Sequence, residues 1–120
     1  MSIPFQLFNC LELSGKHFPY PDQLCRLAAS GEYPEIYPWW FIDANSDAGR
    51  LAWSVRQHDG RNLVPFAKVD DGRGDVACFD ADSDDAAVHM LVLDESGRRY
   101  SYPSFAAWLR AAQADAAKYQ

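Results

Sequence analysis

Between residues 21 and 31 the apolar positions Leu24, Leu27 and Ala28 recur at the spacing of one helix face. Pro21 stands ahead of them, Asp22 occupies the positive end of the dipole, and Gly31 sits where a left-handed cap would close the helix. This predicts a short helix over residues 21–31. From Trp39 onward the period falls towards two. Leu51, Trp53 and Val55 alternate with Arg50, Ser54 and Arg56, the pattern of a half-buried strand. Asp59-Gly60 then supplies a tight turn, and residues 63–69 read as the partner strand. Pro65 removes a ladder donor there and points to an edge position or a bulge. Asp70-Asp71-Gly72 makes the next turn, residues 76–79 and 88–93 read as two further strands, and Glu95-Ser96-Gly97 closes a hairpin onto residues 99–102. Helical spacing returns with Phe105, Trp108, Leu109, Ala112 and Ala116 on one stripe, and Ser104 is placed to accept from the first free amides. Residues 1–20 carry Phe5, Leu7, Phe8, Leu11 and Leu13 with neither period clean, so helix and strand stay open there.

Strands bracketed by helices, without alternating βα units, predict an α+β fold: a single domain over residues 1–120 with a twisted, mostly antiparallel sheet flanked by helices. Composition agrees, since 48% hydrophobic and 14% aromatic residues describe a chain able to bury a core. Charge narrows the partners. Eleven Lys and Arg against seventeen Asp and Glu leave a net charge of −6, which repels nucleic acid and an anionic membrane and favours a basic partner. Cys10, Cys25 and Cys78 form an odd, widely spaced set without a Cys-x-x-Cys pair, the usage of reduced thiols rather than of a disulfide framework or a zinc site. The first residues lack a basic stretch followed by an apolar one, and no uncharged run approaches the ~20 residues of a spanning helix. A cytoplasmic setting is the expectation.

The densest chemical feature is acidic. Asp70, Asp71, Asp75, Asp80, Asp82, Asp84 and Asp85 fall between positions 70 and 85. Crowded carboxylates repel one another, so such a stretch is either solvated loop or is held for a cationic partner. Asp80-Ala81-Asp82-Ser83-Asp84 has carboxylates at the first, third and fifth positions of an EF-hand loop, but Asp85 stands where the loop needs Gly and Leu91 where it needs Glu. Cys78 with His89 as base would be a nucleophile pair, whereas a free cysteine on a strand is ordinarily a small buried hydrophobe. His17 and His58 have no companion at ligand spacing, and His58 adjoins a turn. Gly72-Arg73-Gly74 lacks the strand, third glycine and helix start of a phosphate loop, and Arg73-Gly74-Asp75 is a chance adhesion tripeptide. Neighbouring Trp39 and Trp40 face opposite sides of a regular strand, so one of them is an exposed anchor or is covered by a helix on the second face.

Four segments carry a family resemblance: Pro38-Trp39-Trp40, Pro65-Phe66-Ala67, Asp75-Val76-Ala77-Cys78-Phe79-Asp80, and Ser104-Phe105-Ala106-Ala107-Trp108-Leu109. In order and spacing over residues 38–110 they resemble the SUKH superfamily, which includes the fungal Smi/Knr cell-wall-synthesis regulators and many bacterial immunity proteins. The resemblance implies an α+β fold, no catalysis, and binding to a toxin, often a nuclease. It transfers no individual binding residue. The leading expectation is a non-catalytic immunity protein that blocks a basic toxin through Asp70, Asp71, Asp75, Asp80, Asp82, Asp84 and Asp85, with Trp39 and Trp40 as further contacts. The alternative is an intracellular adaptor of the Smi/Knr type. An enzyme has least support, because no nucleophile, base and orienting group assemble from the sequence. No cofactor or metal is implied.

Overall fold

A computed structural model describes residues 4–7, 20–32, 34–55, 63–70, 74–80, 87–92 and 100–118. Helix α1 spans Asp22–Ser30. Gly31 ends it at φ 70°, and its N–H donates to the Leu27 carbonyl at 2.8 Å, the left-handed cap that glycine adopts without a Cβ penalty. Leu24 and Ala28 are its buried positions.

The expected sheet is present. Strands β1 (Trp39–Phe41), β2 (Leu63–Val69), β3 (Val76–Asp80), β4 (Val88–Leu91) and β5 (Ser101–Tyr102) pair antiparallel in chain order. Pro65 marks a bulge in β2: Pro65 lies opposite Cys78 and Ala67 opposite Ala77, which leaves Phe66 as the extra residue. The Phe66 carbonyl instead accepts the Ile42 N–H at 2.9 Å, at the end of β1. The Tyr37-Pro38 peptide bond is cis. At the far side of the sheet β5 is two residues long and is followed by exposed Pro103.

One element differs from the sequence reading. The alternating run at residues 51–55 is not a strand but the end of helix α2, Asp47–Val55. Ser46 caps it: its Oγ accepts the Gly49 N–H at 3.0 Å, and its carbonyl accepts the Arg50 N–H at 3.0 Å. The same Oγ donates to the Asp43 carbonyl at 2.6 Å. Asp47 favours the first turn through the dipole and is paired with Arg50. Buried Gly49 and Ala52 and half-buried Trp53 occupy the inward face at i, i+3 and i+4, while Leu51 is 58% exposed. Of the large apolar residues that make the apparent alternation, Leu51 faces solvent and Trp53 packs inward beside the small Gly49 and Ala52. With α2 helical, the partner of β2 on that side is β1, in the register Trp39 with Val69, Trp40 with Lys68 and Phe41 with Ala67.

Both faces of the sheet are therefore covered. One core joins Phe5, α1 and the last helix to Trp39, Phe41, Phe66, Phe79, Val88 and Met90. The other packs Ala52 of α2 with Ile42, Leu63, Val64, Val76, Cys78 and Leu91. Near-continuous burial along β2 and β3 follows from this arrangement, as strands covered on both faces lose the alternating pattern.

Helix α3, Phe105–Ala117, follows the expectation closely. Ser104 Oγ accepts the Ala107 N–H at 3.1 Å, and the buried positions are Phe105, Trp108, Leu109, Ala112 and Ala116. Fully buried Trp108 meets Phe66 edge-on at a centroid distance of 4.9 Å, Trp39 at 5.4 Å and Phe41 at 5.8 Å.

Gly49 tests how close α2 lies to the chain beneath it. A Cβ built at this position would collide with the Asp43 carbonyl and crowd the Ala44 backbone. Gly49→Ala is expected to lower stability by about 1–3 kcal/mol through overpacking, despite the helix-propensity gain of roughly 1 kcal/mol. Urea denaturation measures the difference. A stabilised variant would mean that α2 stands off the Asp43 segment.

Candidate functional site

Asp70, Asp75 and Asp80, the described members of the acidic set, do not share one surface. Asp70 is exposed just beyond β2, and its N–H donates to the Pro38 carbonyl at 2.8 Å. Asp80 is half-buried at the end of β3, opposite Leu63 at the start of β2. The length of β2 separates these ends by about 20 Å at the rise of an extended strand. The β2–β3 hairpin thus holds Asp70 and Asp80 at opposite ends. Asp71, Asp82, Asp84 and Asp85 lie outside the described residues, as do the loop with EF-hand-like spacing beyond Asp80, His17 and His58.

Asp75 departs from the reading of an open acidic stretch, for it is completely buried. The Tyr100 hydroxyl donates to its Oδ2 at 2.5 Å, and its backbone carbonyl accepts the Val69 N–H at 3.0 Å. Removal of a carboxylate from water requires such partners, and this one connects the β2–β3 turn to the residue preceding β5. Gly74 immediately before it is at φ 73°, a conformation that favours glycine and turns the chain inward at this point. Asp75 is therefore a structural carboxylate, not part of an accessible surface.

The tryptophan pair follows the covered alternative. Trp39 is 5% exposed, and its Nε1–H donates to Asp115 Oδ2 of α3 at 2.8 Å. Lys118 Nζ lies 3.8 Å from the other oxygen of the same carboxylate. Trp40 is half-buried against the second core, on the face that α2 covers. Trp39 is correspondingly unavailable as an exposed anchor. The large apolar side chains that do stand in solvent among the described residues are Leu51 and Tyr37, the latter 54% exposed. Neither was singled out by pattern: Leu51 was assigned to a strand face, and Tyr37 precedes the Pro-Trp-Trp run that drew attention instead.

Cys78 and His89 are brought together in a way that linear spacing does not reveal. They are direct partners in the β3–β4 register, and His89 in turn faces Ser101 of β5. The thiol is fully buried and donates to the Val76 carbonyl at 3.6 Å, as a small hydrophobe with a weak donor does. A nucleophile needs an approach for its substrate, and burial denies one to this sulfur. Among the described residues no three His, Cys, Asp or Glu side chains are grouped to hold a metal ion. No described helix is long and apolar enough to cross a membrane.

Comparison with protein-family models, curated proteins and solved structures finds no match to this chain.

The two kinds of aspartate are separable by stability. Asp75→Ala strips the Tyr100 hydroxyl of this acceptor within a packed region and is expected to cost about 1–3 kcal/mol, whereas exposed Asp70→Ala is expected to stay within about 0.5 kcal/mol. Equal denaturation midpoints for the two variants would place Asp75 in solvent.

Proposed function

We propose that this chain is a non-catalytic immunity protein of the SUKH type, which neutralises a basic toxin domain, of nuclease character, in the cytoplasm by covering its cationic cleft. The observation that carries this reading is convergence. The segments bearing the resemblance supply Trp39 from β1, Phe66 from β2, Phe79 from β3, and Phe105 and Trp108 from α3, and these rings pack into one cluster. Short apolar motifs in a shared order gain weight when they build one core.

The charge of the chain supports the partner class. A net charge of −6 suits a partner whose own surface attracts phosphate, because complementary potentials accelerate encounter and fix orientation. Asp70 and Asp80 place carboxylates at both ends of the β2–β3 hairpin, so either end can face such a cleft.

Calorimetric titration against the product of the adjacent gene tests the reading. Tight binding that weakens with added salt is expected. Charge reversal at one end, Asp70 and Asp71 to Lys, is compared with reversal at the other, Asp80, Asp82 and Asp84 to Lys. One set is expected to reduce affinity tenfold or more, on the order of 1.4 kcal/mol, with the fold retained. Full affinity in both variants would exclude an acidic interface. Absence of binding to the neighbouring product, with capture of a host regulatory protein instead, would favour the adaptor role.

A further inference from the structure

Of the two acidic ends, the one beside Pro38 carries an additional feature. Tyr37 stands 54% exposed at the tip of a turn whose flanks are anchored in the core. Its own N–H donates to Glu35 Oε1 at 3.0 Å. Buried Ile36 accepts the Trp39 N–H at 2.7 Å, and buried Pro38 accepts the Asp70 N–H at 2.8 Å. Trp39 is in turn held by Asp115. The ring is consequently presented by an ordered backbone, so a partner that covers it pays little further ordering entropy.

We propose that this turn is the anchoring point of the interface, with Tyr37 as the aromatic contact and Glu35 and Asp70 as flanking carboxylates that receive an arginine or lysine side chain of a basic protein partner. The inference rests on the acidic-interface reading above and selects one end of the hairpin for it. Neither Glu35 nor Asp70 forms an ion pair among the described residues. A guanidinium or ammonium group that approaches the ring face gains from the ring quadrupole and from the negative charge of a turn bearing Glu35 and bonded to the Asp70 backbone. Tyrosine is also enriched among residues that dominate interface energies, because it contributes a large, rigid, amphipathic surface.

The probe is an octa-arginine peptide titrated into isotope-labelled protein at low salt, followed by amide shifts. The expected result is saturable binding with the largest shifts at residues 35–38 and 70. Tyr37→Ala should weaken it roughly two- to fivefold while Tyr37→Phe, which keeps the ring, retains affinity. Glu35→Gln combined with Asp70→Asn should weaken it roughly two- to fourfold, and Asp22→Asn on the exposed face of α1 serves as the net-charge control that leaves affinity unchanged. Circular dichroism of each variant verifies the fold. Shifts centred on residues 80–87 that are indifferent to Tyr37→Ala would overturn this assignment while the acidic-interface reading stands. An equal loss in Asp22→Asn would reduce the effect to overall charge and likewise overturn it. Failure of the peptide to bind at all would overturn both.

Discussion

Everything in this fold is arranged around the burial of one indole. Trp108 projects from α3 into the first face of the sheet and touches rings contributed by β1, β2 and its own helix. Its Nε1–H has no hydrogen-bond acceptor among the described residues, a cost that the area buried offsets. A side chain of this size in a core of this kind is typically worth about 3–5 kcal/mol against alanine, a large share of the stability available to a chain of this length. Edge-to-face contacts also fix orientation, so the cluster sets the direction in which α3 crosses the strands. Trp39 adds a polar tie at the other end of that helix, where its indole is hydrogen-bonded to Asp115.

The second face is built on a different principle. Where α3 uses large aromatic side chains to fill space, α2 uses Gly49 and Ala52 to abolish it, and the helix lies directly against the Asp43 segment. Asp43 organises that approach, because its carboxylate accepts the Asn45 N–H at 3.0 Å and its carbonyl accepts from Ser46. The same carboxylate reaches the Gln6 N–H at 3.4 Å, and the Ala44 N–H donates to the Gln6 carbonyl at 2.8 Å. One turn thereby joins the start of α2 to the N-terminal segment, which in turn stacks Phe5 on Phe41 across the opposite core. The two faces are mechanically connected through the end of β1.

Much of this was legible in the chain, and the exceptions have physical causes. Helix α1, strands β2 to β4 and helix α3 carry their own signals: a glycine cap, a proline bulge, β-branched runs, and a five-residue stripe headed by a serine cap. α2 is not legible in the alternation of Leu51, Trp53 and Val55, because three alternating residues are too few to separate a strand from a helix. The burial of Asp75 depends on Tyr100, twenty-five positions away, and no local pattern reports such a pairing. The division of the acidic stretch was within reach. A strand over residues 76–79 necessarily carries Asp80 away from Asp70, and the two readings had only to be combined. The juxtaposition of Cys78 with His89 required register, which alternation leaves undetermined until turns are known.

The last strand of the sheet bears on how this protein can meet another. β5 offers two residues of backbone before Pro103, a residue with no amide hydrogen, interrupts the ladder. A neighbouring chain seeking to extend the sheet there finds too few donors and acceptors to align. Growth of the sheet from molecule to molecule is blunted at that border, a protection against amyloid-like association. Any contact made at that border is correspondingly left to side chains rather than to backbone pairing.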